Sequence, residues 1–276
     1  MSKKVKITLH LLYNVKILIY QNIHPATSTG RKPRRLQVST KMKLFCIPYA
    51  GGSASVYSSW KKAFLPNIEL IPIELAGKGS RFNQPLYENI EQAVSDILSF
   101  LQSKLDSSPY ALFGHSMGAL LSFELLHALK EQNAPMPITT FLSGKNPPHI
   151  TPTTNRHKLD GREFWEEVRS MGGTPAELMT STELMELFTP ILKRDFKLVE
   201  TYVPNLNREL ITSPVTVLYG TKDQTVSVDR MAEWNRYTSE EISFYNFDGG
   251  HFFIQEHEQA VITRVNQSLL STTIKA

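Results

Sequence analysis

The segment YALFGHSMGALLSFELL, residues 110–126, changes its apolar pattern partway along. Its first part, YALFG, is typical of a buried strand, whereas leucines at helical spacing follow from MGALL onward. Between them, Gly114-His115-Ser116-Met117-Gly118 matches G-x-S-x-G, in which a strand turns sharply into a helix and exposes the serine. A small residue in an ordinary turn is the alternative. The flanking strand and helix favour Ser116 as a catalytic nucleophile.

Short apolar runs alternate with helical patterns over most of the chain. The strand-like runs cover residues 44–47, 70–73, 111–113, 138–142, 215–219 and 242–247, and the clearest helical patterns cover 90–105, 117–131, 228–237 and 256–270. Such alternation predicts the α/β class, with a mostly parallel sheet flanked by helices.

One stretch, at about residues 147–210, shows no strand pattern and contains two helical patterns separated by GGTPAEL. We expect this helical insertion to form a lid over the carboxyl edge of the sheet, where open α/β folds bind ligands. The second helical pattern has a wide apolar face that includes Leu184 and Phe188, which are our candidates for a substrate pocket under the lid. Packing of the lid alone would explain the same face.

The charge of the chain is divided unevenly. Residues 1–41 contain nine Lys or Arg and no acidic residue, whereas residues 42–276 contain 21 basic and 26 acidic residues. The net charge of +4 is therefore no argument for nucleic acid binding. Polar residues interrupt the apolar part of the leader, so we expect a disordered or unused basic segment at 1–41 rather than a signal peptide or membrane anchor. The domain is predicted at 42–276.

Cys46 is the only cysteine, so no disulfide can form within the chain, and a reducing, cytoplasmic location is expected. It lies in the apolar run KLFCIP, which is typical of a small buried side chain rather than a nucleophile.

A serine nucleophile needs a base, and the base needs a carboxylate to orient it. Of eight histidines, His251 is the best candidate, because it follows the strand-like run ISFYNF and a flexible Asp-Gly-Gly turn. Asp223, in the loop after the preceding predicted strand, is the favoured acid. Asp248 and Asp229 remain alternatives, although the first suits a turn and the second the start of a helix.

Attack on a carbonyl creates negative charge on its oxygen, which backbone N–H groups must meet. The amide of Met117, next after the nucleophile, is one candidate donor. The other donor is predicted in the loop after the first strand, where Ala50 is favoured and Tyr49 is the alternative. No metal-ligand cluster and no phosphate-binding loop is visible, so neither a metal nor another cofactor is predicted.

Six motifs together resemble the type II, or external, thioesterases of non-ribosomal peptide and polyketide synthesis: IPYAGG, ELAGKGSR, FGHSMGA, MGGTPAEL, YGTKDQTV and FDGGHFF. The resemblance runs from residue 43 to the C-terminal helical pattern. It implies an α/β-hydrolase fold, a triad of Ser116, Asp223 and His251, and removal of acyl groups from the phosphopantetheine arm of carrier domains. The implied partners are these carrier domains. Neither nucleic acid binding nor a stable membrane association is predicted, and the enzyme is expected to be a monomer.

Two other functions fit parts of the pattern. A general esterase or peptidase of the same fold would carry the same triad, and differs in its preference among thioesters, esters and amides. A non-catalytic interaction module would lack a reactive serine.

Overall fold

The computed structural model describes residues 41–275. The leader predicted at 1–41 therefore lies, except for its last residue, outside the described residues. Within the described part, no helix is long and apolar enough to cross a membrane.

Six parallel strands form one sheet. They are β1 Met42–Ile47, β2 Ile68–Pro72, β3 Tyr110–His115, β4 Thr140–Ser143, β5 Val215–Gly220 and β6 Ile242–Phe247, in the spatial order β2-β1-β3-β4-β5-β6. Because all neighbouring strands run in the same direction, the loops after them meet at one edge. The parallel α/β sheet predicted from the apolar runs is confirmed.

The helices follow the predicted alternation closely. They are α1 Ile90–Lys104, α2 Met117–Glu131, α3 Gly161–Met171, α4 Ala176–Thr180, α5 Thr182–Glu200, α6 Phe253–Glu256 and α7 Glu258–Lys275. One predicted α-helix is instead a 3-10 helix, Val228–Arg236. Its buried side chains, Met231 and Trp234, are three residues apart, which matches the three-residue turn of a 3-10 helix.

Side chains alternate across the sheet and build a core on each face. On β1, Phe45 and Ile47 pack with α1 and α2, whereas Leu44 and Cys46 face the layer that contains α7. Strands buried on both faces read as continuous apolar runs, which is why they were recognisable in the sequence. Cys46 is fully buried, and burial raises the pKa of its thiol, as expected of a structural cysteine.

Helices α3, α4 and α5 all lie between β4 and β5 in the chain. They form a separate apolar cluster around Phe164, Trp165 and Phe196, and Ala50 from the loop after β1 packs against it. The inserted helices thus contact the carboxyl edge of the sheet through that loop.

Candidate active site

The turn at Ser116 depends on glycine at both of its flanking positions. A Cβ added at Gly114 would lie 2.1 Å from the backbone oxygen of Gly118, and one added at Gly118 would lie 2.1 Å from the oxygen of Ile47. Real Cβ atoms do not approach backbone this closely, so any other residue would push β3 away from α2 or α2 away from β1. The glycines of the G-x-S-x-G pattern are therefore explained by packing.

Ser116 itself has a backbone conformation that side chains disfavour, with φ 55° and ψ −113°. Its amide donates a hydrogen bond of 2.8 Å to the oxygen of Ser143, at the end of β4. A non-glycine residue in such a conformation costs about 1–3 kcal/mol, which the surrounding structure must offset. In this conformation Ser116 lines the pocket described below.

The structure brings Ser116, His251 and Asp223 into one hydrogen-bonded line. Ser116 Oγ lies 2.9 Å from His251 Nε2, and His251 Nδ1 lies 2.7 Å from Asp223 Oδ2. A carboxylate at Nδ1 holds the proton on that nitrogen, which leaves Nε2 free to accept the serine proton. Each of the three follows the carboxyl end of a strand, respectively β3, β6 and β5.

The loops after β5 and β6 are bound to each other by backbone hydrogen bonds. Thr221 donates to Phe247 at 2.9 Å, and Lys222 donates to Gly249 at 2.9 Å. A Cβ on Gly220 would lie 2.4 Å from the oxygen of Gly250, so the two loops touch directly. This contact fixes the distance between Asp223 and His251.

Thr225, which the sequence analysis did not single out, bonds both members of the Asp223–His251 pair. Its amide and its hydroxyl both donate to Asp223 Oδ1, at 2.8 and 2.7 Å, and its hydroxyl lies 2.9 Å from His251 Nδ1. Burial alone would raise the pKa of Asp223, but the hydrogen bonds from His251 and Thr225 outweigh burial and lower it. The signal was the Asp-x-Thr spacing, which suits a side chain that bonds backbone two residues on.

The other candidate acids lie elsewhere. Asp248 is exposed and pairs with Lys222 at 2.9 Å, and Asp229 is exposed in the first turn of the 3-10 helix. Neither carboxylate bonds His251 among the described residues.

His115 lies next to His251. It is fully buried, its Nδ1 lies 2.9 Å from Ser143 Oγ, and its ring centre is 5.1 Å from that of His251. Burial lowers the pKa of His115 well below its usual range, and the neighbouring His251 lowers it further. A neutral ring at this position supports His251 without competing for its proton.

Both predicted oxyanion donors are available. Ala50 and Met117 donate no backbone hydrogen bond to another residue of the described chain. Met117 is the first residue of α2, where an amide has no partner within the helix. Ala50 lines the same pocket as Ser116, and Tyr49, the reserve candidate, lines it as well.

This pocket lies between the carboxyl edge of the sheet and the inserted helices. Apolar side chains from α3 and α5 form much of its wall, namely Val168, Met171, Leu192, Phe196 and Val199. Lys145, after β4, also lines it, and burial lowers the pKa of its ammonium to about 8. The pocket therefore combines an apolar wall with charged side chains, namely Lys145, Arg156 and Glu200, in the cavity that Ser116 also lines.

Leu184 and Phe188 do not line this pocket. Leu184 is 37% exposed, and Phe188 packs at the margin of the cluster within the insertion. They lie in the first half of α5, whereas the pocket is lined by Leu192 and Phe196 in its second half. The apolar stripe identified the correct helix but not the part of it that covers the site.

The chain is similar to a protein-family model and to several known proteins. A family model described as Thioesterase domain matches residues 42–269. The gramicidin S biosynthesis protein GrsT of Aneurinibacillus migulanus is 34% identical over 81% of this chain and 87% of its own. Thioesterase PikA5 of Streptomyces venezuelae is 30% identical over 85% and 83%. The crystal structure of ClbQ from the colibactin NRPS/PKS pathway superposes with a TM-score of 0.81 at 35% identity, covering 86% of this chain and all of ClbQ.

Proposed function

Since this chain belongs to the thioesterase-domain family, we propose that it hydrolyses acyl thioesters on the phosphopantetheine arm of carrier domains in non-ribosomal peptide or polyketide synthesis. Two kinds of similarity support the proposal. By their names, GrsT takes part in gramicidin S biosynthesis, ClbQ belongs to the colibactin NRPS/PKS pathway and PikA5 is a thioesterase, and the similarity to them covers most of both chains. The observation that carries it is the Ser116–His251–Asp223 line at the wall of an apolar pocket.

In the first step, His251 Nε2 accepts the proton of Ser116 as Oγ attacks the thioester carbonyl. The carbonyl oxygen becomes negative, and the amides of Ala50 and Met117 stabilise it. The tetrahedral intermediate collapses by breaking the C–S bond. His251 then gives its proton to the departing thiol, which leaves an acyl ester on Ser116.

In the second step, water replaces the thiol. His251 removes a proton from the water, the oxygen attacks the acyl ester, and the carboxylic acid departs as Ser116 recovers its proton. Asp223 stays ionised throughout and stabilises the positive imidazole that forms in each step. Its lowered pKa fits that role.

The carrier domain is the proposed partner, and the enzyme is proposed to act as a cytoplasmic monomer. The pocket is partly open to solvent, and a thin phosphopantetheine arm needs an entrance to present a thioester to Ser116.

The decisive experiment compares one acyl group on three supports: a carrier protein, coenzyme A and an oxygen ester of similar size. We expect the highest kcat/KM on the carrier protein and the lowest on the oxygen ester. Ser116→Ala is expected to lose about a thousandfold or more of the thioesterase activity, while Ser99→Ala, an exposed serine on α1, serves as the matched control.

Different results identify the alternatives. Faster hydrolysis of the oxygen ester than of both thioesters would indicate a general esterase. Thioester hydrolysis that is unchanged in Ser116→Ala would reject the serine mechanism. Absence of any hydrolysis, together with no labelling of Ser116 by an alkylphosphonate, would indicate an interaction module.

A further inference from the structure

A buried ion pair joins the insertion to the loop that follows β2. Lys78 Nζ lies 2.9 Å from Asp195 Oδ1, and their side chains are only 3% and 1% exposed. Lys78 precedes the short 3-10 helix Gly79–Arg81, and Asp195 lies on α5. A buried pair of this kind is weak evidence for stability, because desolvation of both charges offsets their attraction.

The second carboxylate oxygen of Asp195 contacts the proposed oxyanion loop. Gly51 donates its backbone N–H to Asp195 Oδ2 at 2.7 Å. Gly51 has φ 76°, and a Cβ there would lie 2.5 Å from Leu192, one turn before Asp195 on the same helix. Helix α5 therefore lies directly against the loop and binds its backbone.

Ala50 lies between two hydrogen-bonded peptide groups. On one side, the oxygen of Tyr49 accepts from the N–H of Gly52 at 2.9 Å, which closes the turn; on the other, the N–H of Gly51 donates to Asp195. Fixing the Ala50–Gly51 peptide plane limits the rotation of the Ala50 backbone, whose own N–H has no acceptor among the described residues. The carboxylate of Asp195 accepts a stronger hydrogen bond than a neutral oxygen would. Lys78 balances the charge of this carboxylate.

We infer that Asp195 is a positioning residue, which holds Ala50 so that its N–H meets the negative oxygen formed at Ser116. This inference rests on the proposed serine mechanism but not on the carrier partner. Lys78 has a different role. The loop requires the carboxylate of Asp195 as an acceptor, and Lys78 neutralises the negative charge that this carboxylate would otherwise carry unpaired in the interior.

The test separates the hydrogen bond from the ion pair with two double variants. Lys78→Met/Asp195→Asn and Lys78→Met/Asp195→Leu both remove the two charges with side chains of similar volume. Only the first retains an oxygen that accepts from Gly51. Hydrolysis is measured on an acyl N-acetylcysteamine thioester, so failure of the carrier proposal would not affect the result.

We expect Lys78→Met/Asp195→Asn to keep kcat within about threefold of the wild type, and Lys78→Met/Asp195→Leu to lose about 100-fold in kcat with a smaller change in KM, the usual scale for a displaced donor. A trifluoromethyl ketone analogue, to which Ser116 adds to form the same negative oxygen, should lose affinity in the second variant only. A purely structural role would not divide the two variants in this way.

Equal kcat values and equal inhibitor affinity in the two double variants would overturn the inference. The inference would also be overturned if both double variants lost kcat and inhibitor affinity in proportion to the fall in their melting temperatures. If a double variant fails to fold, the single variant Lys78→Met decides, because it keeps the acceptor. It should lose stability with less than about threefold loss of kcat at a temperature where it is folded, and a loss near 100-fold would refute the assignment.

Discussion

Replacing Ser116 by glycine is expected to give a more stable protein than replacing it by alanine, while both changes abolish the activity. The serine has φ 55° and ψ −113°, a conformation open to glycine and disfavoured for every residue with a Cβ. The informative reference is Ser116→Ala rather than the wild type. Both variants lose the hydrogen bond to His251, so that loss cancels between them, and only the backbone difference remains.

The magnitude follows from two opposing effects. Relief of the strain favours glycine by about 1–3 kcal/mol. The greater freedom of glycine in the unfolded chain disfavours it by about 0.5–1 kcal/mol. We therefore expect Ser116→Gly to exceed Ser116→Ala by about 1 kcal/mol in free energy of unfolding, which is about 2–4 °C in Tm for a domain of this size.

Urea denaturation and thermal unfolding of the two variants measure this difference. A matched control is the exposed Ser99 in the middle of α1, where glycine should be less stable than alanine by about 1 kcal/mol. The sign of the glycine–alanine difference is thus expected to reverse between the two serines. If Ser116→Gly unfolds at or below the midpoint of Ser116→Ala while the Ser99 pair behaves as expected, then the backbone of Ser116 does not carry the strain inferred from its φ and ψ angles.

Four further outcomes are expected. Because burial depresses the pKa of His115 below that of the unfolded chain, the unfolded state binds more protons as the pH falls, and stability should decrease from pH 7 to 5; a His115→Asn variant should lose less stability in the same titration. Asp223→Asn should lose about 10⁴-fold in kcat while the protein remains folded, and a smaller loss than tenfold would argue against its role. A chain that begins at Met42 should equal the full chain in Tm and kcat, whereas insoluble or inactive protein would show that residues 1–41 contribute to the fold. The ammonium of Lys145 loses its proton near pH 8, so KM for acyl thioesters that end in a carboxylate should rise between pH 7 and 9, and a Lys145→Met variant should lack this rise.

The sheet and the elbow were predictable because their signals are local. A strand buried on both faces must be apolar, as β3 is, and the elbow requires glycine on both sides of its serine because backbone atoms occupy the space of a Cβ. The order of serine, acid and histidine along the chain then pointed to His251 and Asp223. The structure brings both to Ser116, since parallel strands end at one edge.

The parts that escaped prediction depend on contacts between distant segments. Lys78 and Asp195 are 117 positions apart, and their pairing follows from the path that the insertion takes across the sheet, which no periodicity encodes. The same reason explains why Leu184 and Phe188 were predicted as pocket residues although they do not line the pocket. Helical spacing shows which face of α5 is apolar, but not which end of the helix lies over the nucleophile.

The position of the nucleophile is set mainly by main-chain atoms. Ser116 donates to the carbonyl of Ser143, and the oxygen of Ile47 leaves no room for a side chain at Gly118. Much of the apolar wall of the pocket, by contrast, consists of side chains on inserted helices outside the sheet. Mutations in those helices can therefore accumulate without moving the reactive oxygen, which makes the acyl group accepted by such an enzyme far easier to change during evolution than the reaction it performs.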